Sequence, residues 1–151
     1  MKTLRKIPSV QLVLLAVLIL MGAGVAFKYV ALAQDVGGGA VTWLDADIGV
    51  APMAGGAQLN GTGVYQVSSA GGDIWGKSDA FHFVYQPLNG NGQVVARVLG
   101  IQGINPYAKA GVMLRETLDA NARNAMTLVT MSQGAFFQWR SVIGGETDQT
   151  V

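Results

Sequence analysis

Cysteine is absent from the 151 residues, and histidine occurs once, at His82. Without thiols there is no disulfide, no zinc–thiolate centre and no thiol nucleophile. A single imidazole cannot build a multi-histidine metal site. Charge is scarce too: only 13% of residues carry it. No basic run or stripe is present to neutralise a phosphate backbone. A Gly-x-Ser-x-Gly nucleophile elbow is also missing.

What the chain does have begins at its N-terminus. Lys2, Arg5 and Lys6 form a basic start, and residues 10–27 form an apolar run with Gln11 as its only polar side chain. The segment ends on Ala31-Leu32-Ala33. Basic start, apolar middle and small-x-small end are the parts of a secretory signal peptide. They predict cleavage between Ala33 and Gln34. The apolar run exceeds the usual signal core of about 7–15 residues. It approaches the roughly 20 residues that span a bilayer. An uncleaved signal anchor is therefore the alternative, and membrane contact is expected only through it. The expected location is secreted, extracellular or periplasmic.

Removing the leader changes the charge. Four of the ten basic residues and none of the nine acidic ones precede Gln34, which leaves six against nine. A mildly acidic remainder has no electrostatic footprint for nucleic acid, so that partner class is excluded.

The organisation read from composition is a leader over 1–33, a Gly-rich linker over 34–40 and one domain over 41–151. The linker composition is flexible and does not pack. Beyond it, short apolar runs alternate with Gly, Asn, Asp and Pro, the pattern of an all-β sandwich or barrel. Strands are predicted over 63–68, 81–86, 93–98, 108–115, 125–131 and 135–140. The two Asn-Gly pairs at 89–92 predict a hairpin joining 81–86 to 93–98. Residues 117–123 are too short and mixed for a structural helix.

Alternation with period two assigns the faces. Phe81, Phe83 and Tyr85 share one side of their strand. Val94, Ala96 and Val98 share another, as do Ala110, Val112 and Leu114, and Phe137 with Trp139. These are the expected inward residues. The opposite sides carry His82, Gln86, Arg97, Lys109, Arg115, Gln138 and Arg140, which predicts a solvent-facing sheet surface rich in polar donors.

Several of these segments carry a family likeness. They are Trp43 with Asp47-Ile48-Gly49, Asp73-Ile74-Trp75-Gly76, Ser78 through Leu88, Val95-Ala96-Arg97-Val98, Ala108 through Glu116, and Phe137-Gln138-Trp139-Arg140. In that order the chain resembles a concanavalin A-like jelly-roll family of unknown function, the "regulation of enolase" type. It is similar to the β-sandwich module at the C-terminus of some β-xylosidases. The resemblance spans 41–140. It implies an antiparallel concanavalin A-like jelly-roll β-sandwich, here preceded by an apolar signal helix. It further implies a module of secreted bacterial proteins, found beside carbohydrate-binding, fibronectin-like or catalytic domains. Family sandwiches continue for several strands past the Phe137–Arg140 segment, so the domain over 41–151 is expected to lack its last strands.

The chemistry points to binding rather than catalysis. Glycoside hydrolysis needs two carboxyl groups flanking the scissile bond, and the predicted polar face holds donors without an evident acid pair. No enzyme is therefore expected. Gln86, Arg97, Arg115, Gln138 and Arg140 are the candidate ligand-binding residues. Arginine offers a forked donor to hydroxyl and carboxylate groups; the competing reading is a ladder of cross-strand ion pairs with Glu116 and nearby Asp residues. Trp75 and Tyr107 are aromatic candidates for stacking on a sugar ring, and the competing reading for Trp75 is a cap on the core. Asp45 and Asp47 are spaced like the opening of a calcium loop, yet the further acids and closing Glu are absent. Turn capping by those carboxylates is the alternative, and a structural calcium is the only cofactor considered. His82 reads as a satisfied, partly buried hydrogen-bonding group. The expected function is a secreted, non-catalytic module that binds carbohydrate or a cell-surface polymer. A structural spacer or adhesion module is the alternative, and an accessory domain of a glycoside hydrolase comes third.

Overall fold

The computed structural model describes residues 11–15, 28–32, 43–60, 64–88, 93–103 and 105–151. These form thirteen strands and no helix. They are β1 (Gln11–Leu15), β2 (Lys28–Leu32), β3 (Leu44–Ile48), β4 (Gly56–Leu59), β5 (Val64–Ser68), β6 (Ile74–Trp75) and β7 (Ser78–Asp79), then β8 (Phe81–Pro87), β9 (Val95–Gly100), β10 (Lys109–Arg115), β11 (Asn124–Thr130), β12 (Ala135–Arg140) and β13 (Asp148–Thr150). One sheet has the order β13-β12-β11-β10-β1-β8-β3, and a second has β4-β5-β2-β9. β6 and β7 form a separate two-stranded ribbon. Every pairing is antiparallel.

The all-β expectation is met, and five of the predicted strands fall within a residue or so of β5, β8, β10, β11 and β12. One expectation, the hairpin, needs correction; the signal helix falls mostly on residues outside the described ones. Gln11–Leu15 and Lys28–Leu32, both inside the expected leader, are strands, so a signal helix is not seen there. The rest of the apolar run lies outside the described residues. Composition alone cannot separate the two readings, because a run of Val, Leu and Ile suits a buried strand as well as an apolar helix. The predicted hairpin of 81–86 with 93–98 is not formed. β8 lies in the seven-stranded sheet and β9 in the four-stranded one. Packed sheets lie about 10 Å apart, against about 4.8 Å between paired strands. β8 and β9 are therefore not paired with each other, and the Asn-Gly pairs at 89–92 lie outside the described residues.

Two apolar clusters hold the fold. Val67, Val84, Ala108 and Ala110 are buried between the sheets, joined by Trp43, Tyr65, Val98 and Val129. Ile48, Phe81, Phe83, Met113, Met126 and Leu128 are buried on the other face of the seven-stranded sheet, where Ile74 covers them from β6. Phe81 and Phe83 meet edge to face at 5.2 Å. Each such side chain contributes about 1.5–3 kcal/mol by leaving water. β8 thus buries both of its faces, which is why His82 and Val84 are as enclosed as Phe81 and Phe83.

The connection from β10 to β11 is closed by a surface ion pair. Arg123 Nε donates to Glu116 Oε2 at 2.8 Å, and Arg123 Nη2 donates to Glu116 Oε1. The hydrogen bond from Arg123 holds the Glu116 carboxyl below its ordinary value. A depressed folded-state value gives stability that is present above the unfolded value and lost as pH falls through the folded one. Thermal melts between pH 3 and 7 should therefore show a small acid-side loss of stability that Glu116→Gln removes. An identical acid limb in the variant would assign that loss to other carboxylates.

Candidate functional site

Strand register decides which side chains share the inner face. Arg115 pairs with Asn124, and Asn124 with Arg140; Met113 pairs with Met126, and Met126 with Gln138. These rows lie on the face of Phe81 and Phe83, under the segment that carries β6 and β7. The polar positions expected to face solvent are buried here: Lys109, Arg115, Gln138 and Arg140 are at most 5% exposed. On β10 and β12 the expected inward side points to the second sheet. It is buried at Ala110 but opens outward, and Leu114 is 39% and Phe137 42% exposed. The second sheet is narrower and does not cover that far end. Alternation therefore groups residues correctly within each strand but not from strand to strand: Phe81 and Phe83 share the buried face of Arg115 and Arg140, whereas His82 and Gln86 lie on the opposite one.

What makes the polar face tolerable inside is Asp79. Its Oδ1 accepts from Arg140 Nη2 at 2.6 Å, and its Oδ2 accepts from Arg140 Nη1 at 2.9 Å and Arg115 Nη1 at 3.3 Å. Asn124 Nδ2 adds a fourth donor at 3.2 Å. All three charged side chains are fully enclosed. Two guanidinium groups against one carboxylate leave one excess positive charge, and backbone carbonyls absorb it. Arg115 donates to the carbonyls of Thr117 and Asp119. Arg140 donates to those of Gly76, Gly145 and Ala122 and to Thr147 Oγ1. Arg115 also lies over the rings of Phe81 and Phe83 at 5.3 and 5.5 Å. Burial pushes the Arg115 guanidinium below its usual value, and Asp79 pulls it back. Arg115 and Arg140 are thus structural anchors that tie the segments around 76–79, 117–122 and 145–147 to the sheet. They are closed to a ligand, as the reading by ion pairs with Glu116 and nearby Asp residues has it; the acid is Asp79, and Glu116 pairs with Arg123 instead.

Gln138 has a different fate. It lines a surface pocket of about 190 Å³ that opens beside the edge strand β13. Trp75 from β6 and Tyr107 from the loop before β10 stand at the pocket, 43% and 55% exposed. Trp75 is therefore no core cap, and its neighbour Ile74 fills that role. The pocket wall is completed by Asp73, Lys109, Thr130, Phe136 and Gln149. Lys109 Nζ donates to Asp73 Oδ1 at 2.6 Å and to the Ile74 carbonyl at 3.2 Å, and lies 5.5 Å from the Trp75 ring centre. Gln138 Nε2 donates to Gln149 Oε1 at 3.0 Å, while its buried Oε1 has no hydrogen-bond partner. A buried carbonyl oxygen left open costs free energy unless something reaches it. Exposed aromatic faces beside a side-chain amide suit a polyhydroxylated ring, with C–H faces for stacking and hydroxyls for hydrogen bonds.

No protein-family model, curated protein or solved structure matches the chain.

The other expected site residues do not join this pocket. Gln86 lies half-buried on β8 and alternates to the face of Val84, away from Trp75. Arg97 is exposed on β9, in the other sheet. Asp45 and Asp47 lie in β3, not in a calcium loop, and flank the buried His82. Asp47 Oδ1 is 2.8 Å from His82 Nδ1, and Asp45 Oδ1 is 3.3 Å from Nε2. Asp47 also accepts from the Gly55 amide. Gly55 sits so close that an added Cβ would fall 2.5 Å from the imidazole ring. Among the described residues no group of three or more acidic, histidine or cysteine side chains is placed to hold a metal ion. The residues that sequence reasoning missed are Asp73, Lys109 and Gln149. A signal for Lys109 exists, since it shares the period-two set of Arg115. Nothing local marks Gln149, which reaches the site only because β13 returns beside β12.

Proposed function

We propose that the chain is an exported, non-catalytic module that binds carbohydrate in the pocket between Trp75, Tyr107 and Gln138. The observation that carries this reading is the pairing of two exposed aromatic rings with a buried amide oxygen that has no partner in the protein. The composition of the leader supports export. The likeness to the concanavalin A-like family, and with it a jelly-roll arrangement of the two sheets, is part of the same proposal. Arg115 and Arg140 belong to the scaffold in this reading, and Gln86 and Arg97 lie outside the site.

The test is affinity electrophoresis of the full chain against a panel of plant and bacterial polysaccharides. At least one should retard it. Trp75→Ala and Tyr107→Ala should each weaken that interaction by roughly tenfold, since ring stacking on an aromatic side chain, as measured for nucleic-acid bases, is worth about 1–3 kcal/mol by alanine substitution. Arg97→Ala should leave it unchanged. Failure of every polysaccharide to retard the chain would reject the proposal and favour a spacer or adhesion module without a small ligand.

A further inference from the structure

We propose that the pocket is an end-on site for one uncharged sugar ring and selects against acidic sugars; this rests on the carbohydrate reading above. The size of the pocket limits its occupant. Sites that enclose a drug-sized ligand run to roughly 300–1,000 Å³. At about 190 Å³ this one has room for a single ring. Trp75 from β6 and Tyr107 from the loop before β10 bound it, and Gln149 stands on its β13 side, so the ring enters as a chain terminus or short branch.

The charge on the pocket wall limits it further. Among the described residues Lys109 is the only cation on the pocket wall, and it is committed: a carboxylate, a backbone carbonyl and the Trp75 indole face already surround its ammonium group. The Lys109 side chain is only 6% exposed, while that of its partner Asp73 is 41% exposed. A ligand therefore meets the anion of the pair and not the cation. A wall that shows an exposed carboxylate and keeps its cation enclosed welcomes hydroxyl donors and repels a uronate. Like charges brought together at a binding surface disfavour the wrong partner strongly.

Competition by methyl glycosides tests both parts. The full chain is first bound to a polysaccharide that retards it. Methyl glycosides of neutral hexoses and pentoses, and of the matching uronic acids, are then titrated in. A neutral monosaccharide glycoside should displace the polysaccharide, and its uronate should be weaker by roughly tenfold or more. In Asp73→Asn that preference should shrink to near unity or reverse, because Lys109 loses its carboxylate. Should this variant not fold, the comparison on the wild-type chain still decides. A uronate that competes as well as its neutral counterpart overturns the charge selection. A polysaccharide that binds while no single-ring glycoside displaces it overturns the end-on site and leaves carbohydrate binding standing. A chain that binds no polysaccharide removes the carbohydrate reading, and this inference with it.

Discussion

Replacing Asp79 by alanine is expected to remove about 3–5 kcal/mol of folding stability, the cost of leaving buried charge unpaired. Arg115 and Arg140 would then share a solvent-free space with no counter-ion, while their backbone acceptors stayed in place. Domains of this size are typically stable by only about 5–15 kcal/mol. The variant should thus melt far below the wild type or be recovered unfolded. Asp79→Asn keeps an oxygen acceptor for Arg140 but loses the charge, so it should fall between the two. Urea titration of the three proteins measures the order directly. An alanine variant within about 1 kcal/mol of wild type, well under the cost of a broken buried pair, would mean that the carbonyls alone carry both guanidinium groups.

A second large loss is expected from Gly111→Ala. Gly111 sits in the middle of β10, paired with Leu128 of β11. A Cβ there would lie 2.1 Å from the Thr127 carbonyl oxygen and 2.6 Å from the Leu128 Cα. Both are backbone atoms of the neighbouring strand, so no side chain can swing aside. Overpacking a core costs typically about 1–3 kcal/mol when side chains can adjust. Here β10 must move from β11, which also displaces Met113 from Met126, so about 3 kcal/mol or more is expected. A thermal melt compares this variant with Gly100→Ala, whose added Cβ meets nothing within 4 Å. Equal melting temperatures for the two would contradict the close strand approach.

These sites show where the sequence is legible. Runs rich in Val, Ala, Met and Phe between Gly and Asn turns place β10, β11 and β12 within a residue or so, because strand existence follows from residue type and turn chemistry. Face assignment fails for a different reason. Alternation weighs Lys109, Arg115, Gln138 and Arg140 as polar and sends them outward. It cannot see that Asp79 and Asp73, some 30 to 60 residues earlier in the chain, return to meet Arg115, Arg140 and Lys109. Buried ion pairs depend on tertiary proximity, which no window of sequence contains. The same applies to the pocket. Trp75, Tyr107 and Gln138 are visible one at a time as candidates, yet only the return of β6, the loop before β10 and β13 to one place makes them a site. The Asn-Gly pairs at 89–92 suit a tight turn, whereas the strands on either side of them belong to different sheets.

The most direct test of the account is a nitrogen-15 correlation spectrum of the full chain, titrated with a fragment of a retarding polysaccharide. The Trp75 indole N–H and the side-chain amides of Gln138 and Gln149 should shift together and saturate at one ligand concentration. Signals from Arg97 and Gln86 should stay where they are. Shifts centred on Arg97 or Gln86, with Trp75 and Gln138 unmoved, would place the binding site elsewhere and contradict the account.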